Sequence, residues 1–176
     1  LPRDNNTLDA NSCQHDFDGR GESKDFSNRE DQTMQTNVAR TVVGGVLGTL
    51  AMTVTGLFAA PMMGIPPMNP ADMLASQMGG IVALGWAAHF MIGTVLAVLY
   101  AALAAPRLPG PPVLRGALFS LLPWLMAQVL VMPMMGMGLF SSSATMATGS
   151  LVGHLVYGAI LGVVVGTEVS QPSAVA

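Results

Sequence analysis

The feature that most constrains this chain is the near absence of charge from most of its length. Between Thr41 and Thr167 the only charged side chains are Asp72, Arg107 and Arg115, whereas residues 1–40 hold eight acidic and five basic side chains. A bilayer core about 30 Å thick needs about 20 apolar residues per helix. Four runs are long enough: 41–60, 81–105, 116–135 and 144–166. The sequence therefore predicts an all-α integral membrane protein with four transmembrane helices in a lipid bilayer.

The first forty residues form a polar segment without an apolar run. Such a segment buries too little apolar surface to offset its ordering entropy, so we predict a disordered polar N-terminal leader. The chain after Met34 reads as a small membrane protein on its own, and residues 1–33 are interpreted as an extension. The predicted organisation is a leader (1–40), a first transmembrane hairpin (41–105), a Pro-rich linker (106–115), a second hairpin (116–168) and a tail (169–176).

The arginines predict the orientation of the chain in the membrane. Arg40 precedes the first span, Arg107 and Arg115 lie in the second connection, and the first and third connections contain no Lys or Arg. Because cytoplasmic loops carry an excess of these residues, the N-terminus, the linker and the C-terminus are predicted to be cytoplasmic.

Two of the apolar runs repeat small residues and one histidine at every fourth position. In the second run these are Gly85, His89, Gly93, Ala97 and Ala101. In the fourth run they are Ser150, His154, Gly158, Gly162 and Gly166. Residues four apart share one face of an α-helix, and an ionisable side chain in the bilayer faces protein rather than lipid. We therefore expect both stripes to face the inside of the bundle.

The two halves of the uncharged region look like copies of one hairpin. The histidines are 65 residues apart, and the PMMG at 61–64 recurs 72 residues later at 133–136. At the second offset Gly44 falls on Gly116, and Gly48 falls on Ser120. Since each copy would contain two spans, both enter from the same side of the membrane. The sequence predicts a parallel repeat with both histidines at similar depth.

Helix packing is the first interpretation of the stripes. Small residues let helices approach closely in lipid, and polar side chains hydrogen-bond across such contacts. We assign packing to Gly44, Gly48, Gly85, Ala97, Gly162 and Gly166. The histidines would then bond to each other, to Ser150, Thr53, Thr55 or Gln128, or to a backbone carbonyl. The function predicted first is a small accessory or assembly subunit that associates with other membrane subunits or with itself.

A haem b or related tetrapyrrole is the second interpretation. Haem iron accepts two axial imidazoles, which His89 and His154 would supply. Gly93 and Gly158 would let the flat ring approach the backbone. The same glycines favour close contact between helices, so the space beside each stripe is occupied either by a helix or by a ligand.

A carrier of a small solute or Cu(I) is the third interpretation. Soft thioethers select Cu(I), and Met62, Met63, Met134 and Met135 lie where the spans meet the first and third connections. Methionine also fills irregular apolar gaps, and these methionines lie at the membrane ends rather than along a continuous path. Because four helices are few for a pathway, such a carrier would be an oligomer.

Neither an enzyme nor a nucleic-acid-binding protein is predicted. The chain has no phosphate loop, HExxH pair or dinucleotide fingerprint, and its acidic residues Asp72 and Glu168 flank the membrane, away from the histidines. The formal charge of −3 comes from the leader, which is not a surface suited to nucleic acid.

Three segments resemble a known group of proteins: GTLAMT in the first run, GWAAHFMIG in the second and GHLVYG in the fourth. They are similar to segments of small uncharacterised bacterial inner-membrane proteins with four spans and a His-x-x-Tyr-Gly signature in the last helix. The resemblance covers residues 34–166. It implies a multi-pass protein of the bacterial inner membrane and carries no activity with it.

Overall fold

A computed structural model describes residues 19–166, with side chains from residue 37 onward. The chain divides into two units, Leu1–Thr36 and Asn37–Ala176, and the description below concerns the second. Residues 1–18 of the predicted leader and the predicted tail lie outside the described residues. The backbone of residues 19–40 is helical and continuous in sequence with the first span, and the disorder predicted for the leader stays a prediction.

The described part of the chain is helical and contains no strand. In the described part, the α-helices of eight or more residues are α1 (Gly19–Val54), α2 (Pro70–Gln77), α3 (Val82–Leu99), α4 (Pro112–Met126) and α5 (Ala144–Gly166). Four stretches are long and apolar enough to cross a membrane: Asn37–Met62, Val82–Ala104, Pro112–Met134 and Ala144–Gly166. The prediction of an all-helical chain with four such helices is therefore confirmed.

Three of these stretches end in a wide, π-helical turn, and each turn lies just before a proline. The turns are Thr55–Ala59 after α1, Tyr100–Ala104 after α3 and Ala127–Val131 after α4, and they precede Pro61, Pro106 and Pro133. A proline ring clashes with the carbonyl four residues earlier, and a wider turn relieves that clash. The fourth stretch, α5, contains no proline and has no wide turn. Pro123 lies inside α4, which continues through it.

The two PMMG segments have the same backbone structure. Gly64 and Gly136 have φ of 75° and 77°. Beside them, Ile65 N donates to Ala60 O and Met137 N donates to Met132 O, both at 3.0 Å. These are Schellman ends, which require a residue in the left-handed region and so favour glycine. The duplication of the hairpin stays a prediction, because matching prolines and glycines produce matching local structure by themselves.

In the first connection Asn69 and Pro70 predict the start of a short helix, since an amide side chain can cap a helix and proline suits its first position, and the structure contains that helix. The side chain of Asn69 accepts hydrogen bonds from Ala71 N (3.1 Å) and Asp72 N (3.4 Å), and Pro70 occupies the first helical position. Asn69 Nδ2 also donates to Asp72 Oδ2 at 2.6 Å, so this carboxylate belongs to the helix cap. The helix packs on α3, where Gly85 lies against the backbone of Ala71.

Close contacts at small residues hold the four spans together. A Cβ on Gly45 of α1 would lie 2.9 Å from Thr94 Cα of α3, and one on Gly48 would lie 2.8 Å from the Tyr157 ring of α5. Gly116 of α4 lies directly against the backbone of Gly158 in α5. In the first hairpin the residue of α1 that approaches α3 is thus Gly45, and in the second the residue of α4 that approaches α5 is Gly116. The proposed repeat instead aligns Gly44 with Gly116.

The tightly packed core lies in the half of the bundle next to the second connection. It consists of Ala97, Tyr100, Ala105, Tyr157 and Leu161, each at most 2 % exposed. Tyr100 packs on Phe119 of α4 with the ring centroids 5.3 Å apart. The opposite half of the bundle, next to the first and third connections, is not closed in this way.

Candidate functional site

A cavity of about 320 Å³ occupies the half of the bundle next to the first and third connections. Its deepest lining residues are Thr49 in α1, Leu96 in α3, Pro123 in α4 and Tyr157 in α5. Beyond Tyr157 the packed core begins, and Tyr157 Oη donates to Gly93 O at 2.7 Å across that boundary. The cavity therefore reaches the two connections at one end and is closed by packed side chains at the other.

The lining of the cavity is rich in methionine. Eight of the fourteen methionines contribute to it. Four come from the membrane-spanning stretches (Met52, Met126, Met132, Met146) and four from the connections (Met68, Met73, Met135, Met137). The other lining residues are apolar or uncharged, apart from the two histidines, and among the described residues no Asp, Glu, Cys, Lys or Arg lines the cavity.

His154 lines the cavity with its ring held in one orientation. Its Nδ1 lies 2.8 Å from the backbone oxygen of Ser150, one turn earlier on α5. A carbonyl oxygen only accepts, so Nδ1 carries the hydrogen and donates. In the neutral ring Nε2 then has a free lone pair. A histidine whose other nitrogen is bonded to a carbonyl is the usual arrangement of a metal-ligating imidazole.

His89 also lines the cavity, but it is bonded to a neighbouring helix. Its Nε2 lies 3.0 Å from Thr53 Oγ1 of α1, and that hydroxyl donates to Thr49 O at 2.8 Å. Because a hydroxyl carries a single hydrogen, Thr53 accepts from His89, and the ring is protonated on Nε2. Of the partners that the sequence allowed, His89 therefore uses Thr53, and His154 uses the Ser150 carbonyl.

A chain of polar side chains connects the cavity wall to the third connection. Gln128 is buried, and its Nε2 donates to Ser150 Oγ at 3.1 Å. Its Oε1 accepts from Ser141 Oγ at 3.1 Å. Ser141 stands between Phe140 and Ser142, and all three have φ between 49° and 58°, which is unusual for residues other than glycine. The hydrogen bond to Gln128 thus ties a strained loop to the cavity wall.

The packing positions named from the sequence lie at three kinds of contact. Gly44 and Gly48 face α5, since a Cβ on them would lie 3.2 Å from Val165 Cγ2 and 2.8 Å from Tyr157 Cδ2. Gly85 faces α2 rather than another span. Ala97 is fully buried in the core. Gly162 and Gly166 of α5 both face Pro112 at the start of α4.

The glycines assigned to a tetrapyrrole are also occupied by protein. Gly93 lies against the Thr49 side chain, and Gly158 lies against the Gly116 backbone, with Ser120 Cβ 2.7 Å from the position of a Cβ. A flat ring cannot lie on these glycines while the helices are packed as described. The two histidines do line one cavity.

The four methionines named as a possible metal site are divided by the structure. Met135 lines the cavity. Met62, Met63 and Met134 point outward, with 89 %, 56 % and 76 % of their surface exposed. Within the described residues, no three His, Cys, Asp or Glu side chains come together in a way that could hold a metal. Any metal bound in the cavity would therefore depend on thioether sulfur.

Sequence reasoning missed two lining methionines of the spans: Met52 in the deeper part of the cavity, and Met126, which is 53 % exposed. A signal exists for Met52, because Thr49, Met52 and Gly56 lie three and four residues apart and so share one helix face. Thr49 and Gly56 are buried, so Met52 on the same face also points toward the interior. For Met126 no such signal exists, since its position depends on how α4 is rotated against its neighbours.

The geometry is thus a partly open cavity with an uncharged, thioether-rich lining in a bundle of four apolar helices. Comparison with curated proteins and with solved structures returned no match. A family model does match, over residues 35–175, which is close to the range of the resemblance noted from the sequence. The chain belongs to the family of unknown function DUF6789.

Proposed function

We propose that this protein is a non-enzymatic membrane protein that binds a small ligand in the cavity between its four spans. The observation that carries the proposal is the lone pair of His154 Nε2, held in a cavity of about 320 Å³ that reaches two connections. Membrane proteins place ionisable side chains in such positions mainly for binding and transport. Ligand pockets are largely apolar with a few oriented polar groups, which describes this lining.

The size of the cavity supports the same conclusion. A volume of about 320 Å³ lies within the range of small-molecule sites, whose clefts measure about 300–1,000 Å³. The other half of the same bundle is packed tightly around Tyr100 and Leu161. The cavity is therefore confined to one half of the bundle, and a molecule bound there would stabilise that half.

An accessory or assembly role in a larger membrane complex is the alternative proposal. It has less support, because the small-residue faces that would mediate association pack inside this chain, at Gly45, Gly116, Gly158 and Gly162. Partners would have to bind the outer, lipid-facing surfaces of the spans. A parallel repeat, the bacterial inner membrane and cytoplasmic termini complete the proposal.

The proposal is tested by ligand-induced stabilisation of the full chain in lipid nanodiscs. The panel consists of Cu(I), Zn(II), haemin, benzene and a short-chain fatty alcohol, and the readout is thermal unfolding. A ligand at 100 times its Kd stabilises by about 2.7 kcal/mol. We expect at least one member of the panel to raise the unfolding temperature of the natural sequence.

Two leucine variants show whether that stabilisation comes from the cavity. Gly153→Leu fills it, because the atom nearest to a Cβ on Gly153 is Met52 Cγ of a flexible side chain, at 3.3 Å, and the next, Met52 O, is at 3.8 Å. Ala87→Leu adds a leucine on the exposed surface of α3 and serves as the matched control. The stabilisation should disappear in Gly153→Leu and persist in Ala87→Leu. A natural sequence that no ligand stabilises, or equal stabilisation of both variants, contradicts the proposal.

A further inference from the structure

We propose that the ligand of this cavity is a soft monovalent cation, Cu(I), held by His154 Nε2 and thioether sulfur, with Met52 as the first methionine ligand. This inference rests on the proposed binding function and names its ligand. Thioethers and imidazole are donors that Cu(I) accepts, and thioethers discriminate strongly against hard cations. Methionine is the most frequent residue type in this lining, which also contains two histidines.

The charge of the lining selects among metals. From residue 37 to 166 no carboxylate or thiolate lines the cavity, whereas Ca²⁺ and Mg²⁺ need several oxygen ligands, and structural Zn²⁺ sites use thiolates or additional histidines. The cost of transferring an ion into a low-dielectric medium rises with the square of its charge. An uncharged site therefore favours a monovalent cation over a divalent one, and within the membrane this difference is largest.

His154 is the ligand that the geometry prepares best. Its Nδ1 donates to Ser150 O at 2.8 Å, so Nε2 is the nitrogen free to bind a metal. Ser150 is itself fixed by Gln128, whose Nε2 donates to Ser150 Oγ at 3.1 Å. Such supporting hydrogen bonds orient the ring and raise its basicity as a ligand.

Met52 lies against α5 at the residue before this histidine. A Cβ on Gly153, the residue before His154, would lie 3.3 Å from Met52 Cγ. Met52 is partly buried and packs against the core cluster, so its thioether lies at the deep end of the cavity.

The remaining methionines form a path from the connections to that deep end. Met68, Met73 and Met137 belong to the connections, and Met146 lies two residues from the start of α5. His154 lies ten residues from the same helix start, or about 15 Å along the axis. The sequence placed the methionines at the membrane ends only, and Met52 supplies the missing deep position. A Cu(I) ion would enter and leave from the side of the first and third connections.

The test is a Cu(I) competition titration on the full chain in nanodiscs, without oxygen, against the colorimetric chelator bathocuproine disulfonate. X-ray absorption at the copper edge then reports the ligand atoms. We expect one Cu(I) per chain, with sulfur and nitrogen neighbours. His154→Gln and Met52→Leu should each weaken binding by about tenfold or more. Met52→Leu conserves volume, which keeps its effect on folding small.

Met62→Leu is the matched control, because Met62 follows on the same helical stretch and is 89 % exposed. It should bind Cu(I) like the natural sequence. No measurable competition by the natural sequence, nitrogen and oxygen neighbours without sulfur, or equal losses in Met52→Leu and Met62→Leu would each overturn the copper assignment. If Cu(I) fails while another ligand stabilises the protein in a way that Gly153→Leu abolishes, the copper assignment alone is lost. If no ligand does so, the proposed function is lost as well.

Discussion

Replacing Gly158 by alanine should destabilise the bundle, whereas the same replacement at Gly153 should not. Both glycines are buried in α5, and alanine is favoured over glycine in a helix by about 0.5–1 kcal/mol at either position. That backbone contribution cancels when the two variants are compared. The difference between them isolates the contact that each new methyl group makes.

The surroundings of the two methyl groups differ in kind. At Gly153 the nearest atom outside the helix is Met52 Cγ at 3.3 Å, which a side-chain rotation can move away. At Gly158 the methyl group would meet the Gly116 backbone, and Ser120 Cβ would be 2.7 Å away. Carbon atoms in contact prefer about 3.5–4.0 Å, so α4 and α5 would have to separate by about 0.8 Å or more.

Overpacking of this kind costs about 1–3 kcal/mol. We therefore expect Gly158→Ala to be less stable than Gly153→Ala by about 1–3 kcal/mol, with Gly153→Ala as stable as the natural sequence or slightly more so. Equilibrium unfolding in mixed micelles, followed by circular dichroism, measures the difference. Equal stability of the two variants would refute the reasoning, because it would mean that α4 and α5 do not touch at this glycine.

Three further predictions concern the rest of the chain. Reporter fusions after Leu108 should report the cytoplasm, and fusions near Asn69 and Ser142 should report the outside; exchanged sides would contradict the orientation and the parallel repeat. Removal of residues 1–33 should leave membrane insertion and thermal stability unchanged, and a marked loss of inserted protein would show that this segment docks on something. Tyr157→Phe removes the 2.7 Å hydrogen bond to the α3 backbone and should lower stability by about 0.6–1.7 kcal/mol, measured by the same unfolding assay; no change would mean that water replaces the bond.

Features that depend on local composition could be predicted from the sequence. The four apolar runs predicted the spans, because length and the lack of charge are sufficient for that prediction. Asn69 and Pro70 predicted the start of α2, because a cap depends on residues that are neighbours in the chain. The stripe residues were expected to face protein, and three of them, His89, Gly93 and Gly158, are buried in the structure.

By itself, the sequence thus determined that this protein is a chain of four apolar helices with histidines on inward faces. Only the tertiary structure decided that the histidines bond to Thr53 and to the Ser150 carbonyl, that Gly45 rather than Gly44 approaches α3, and that Met52 and Met135 line a cavity while Met62 and Met134 do not. The reason is that the sequence does not set the rotation of each helix about its own axis. Neighbouring residues on a helix point about 100° apart, and the contacts among all four helices together set which face of each one turns inward.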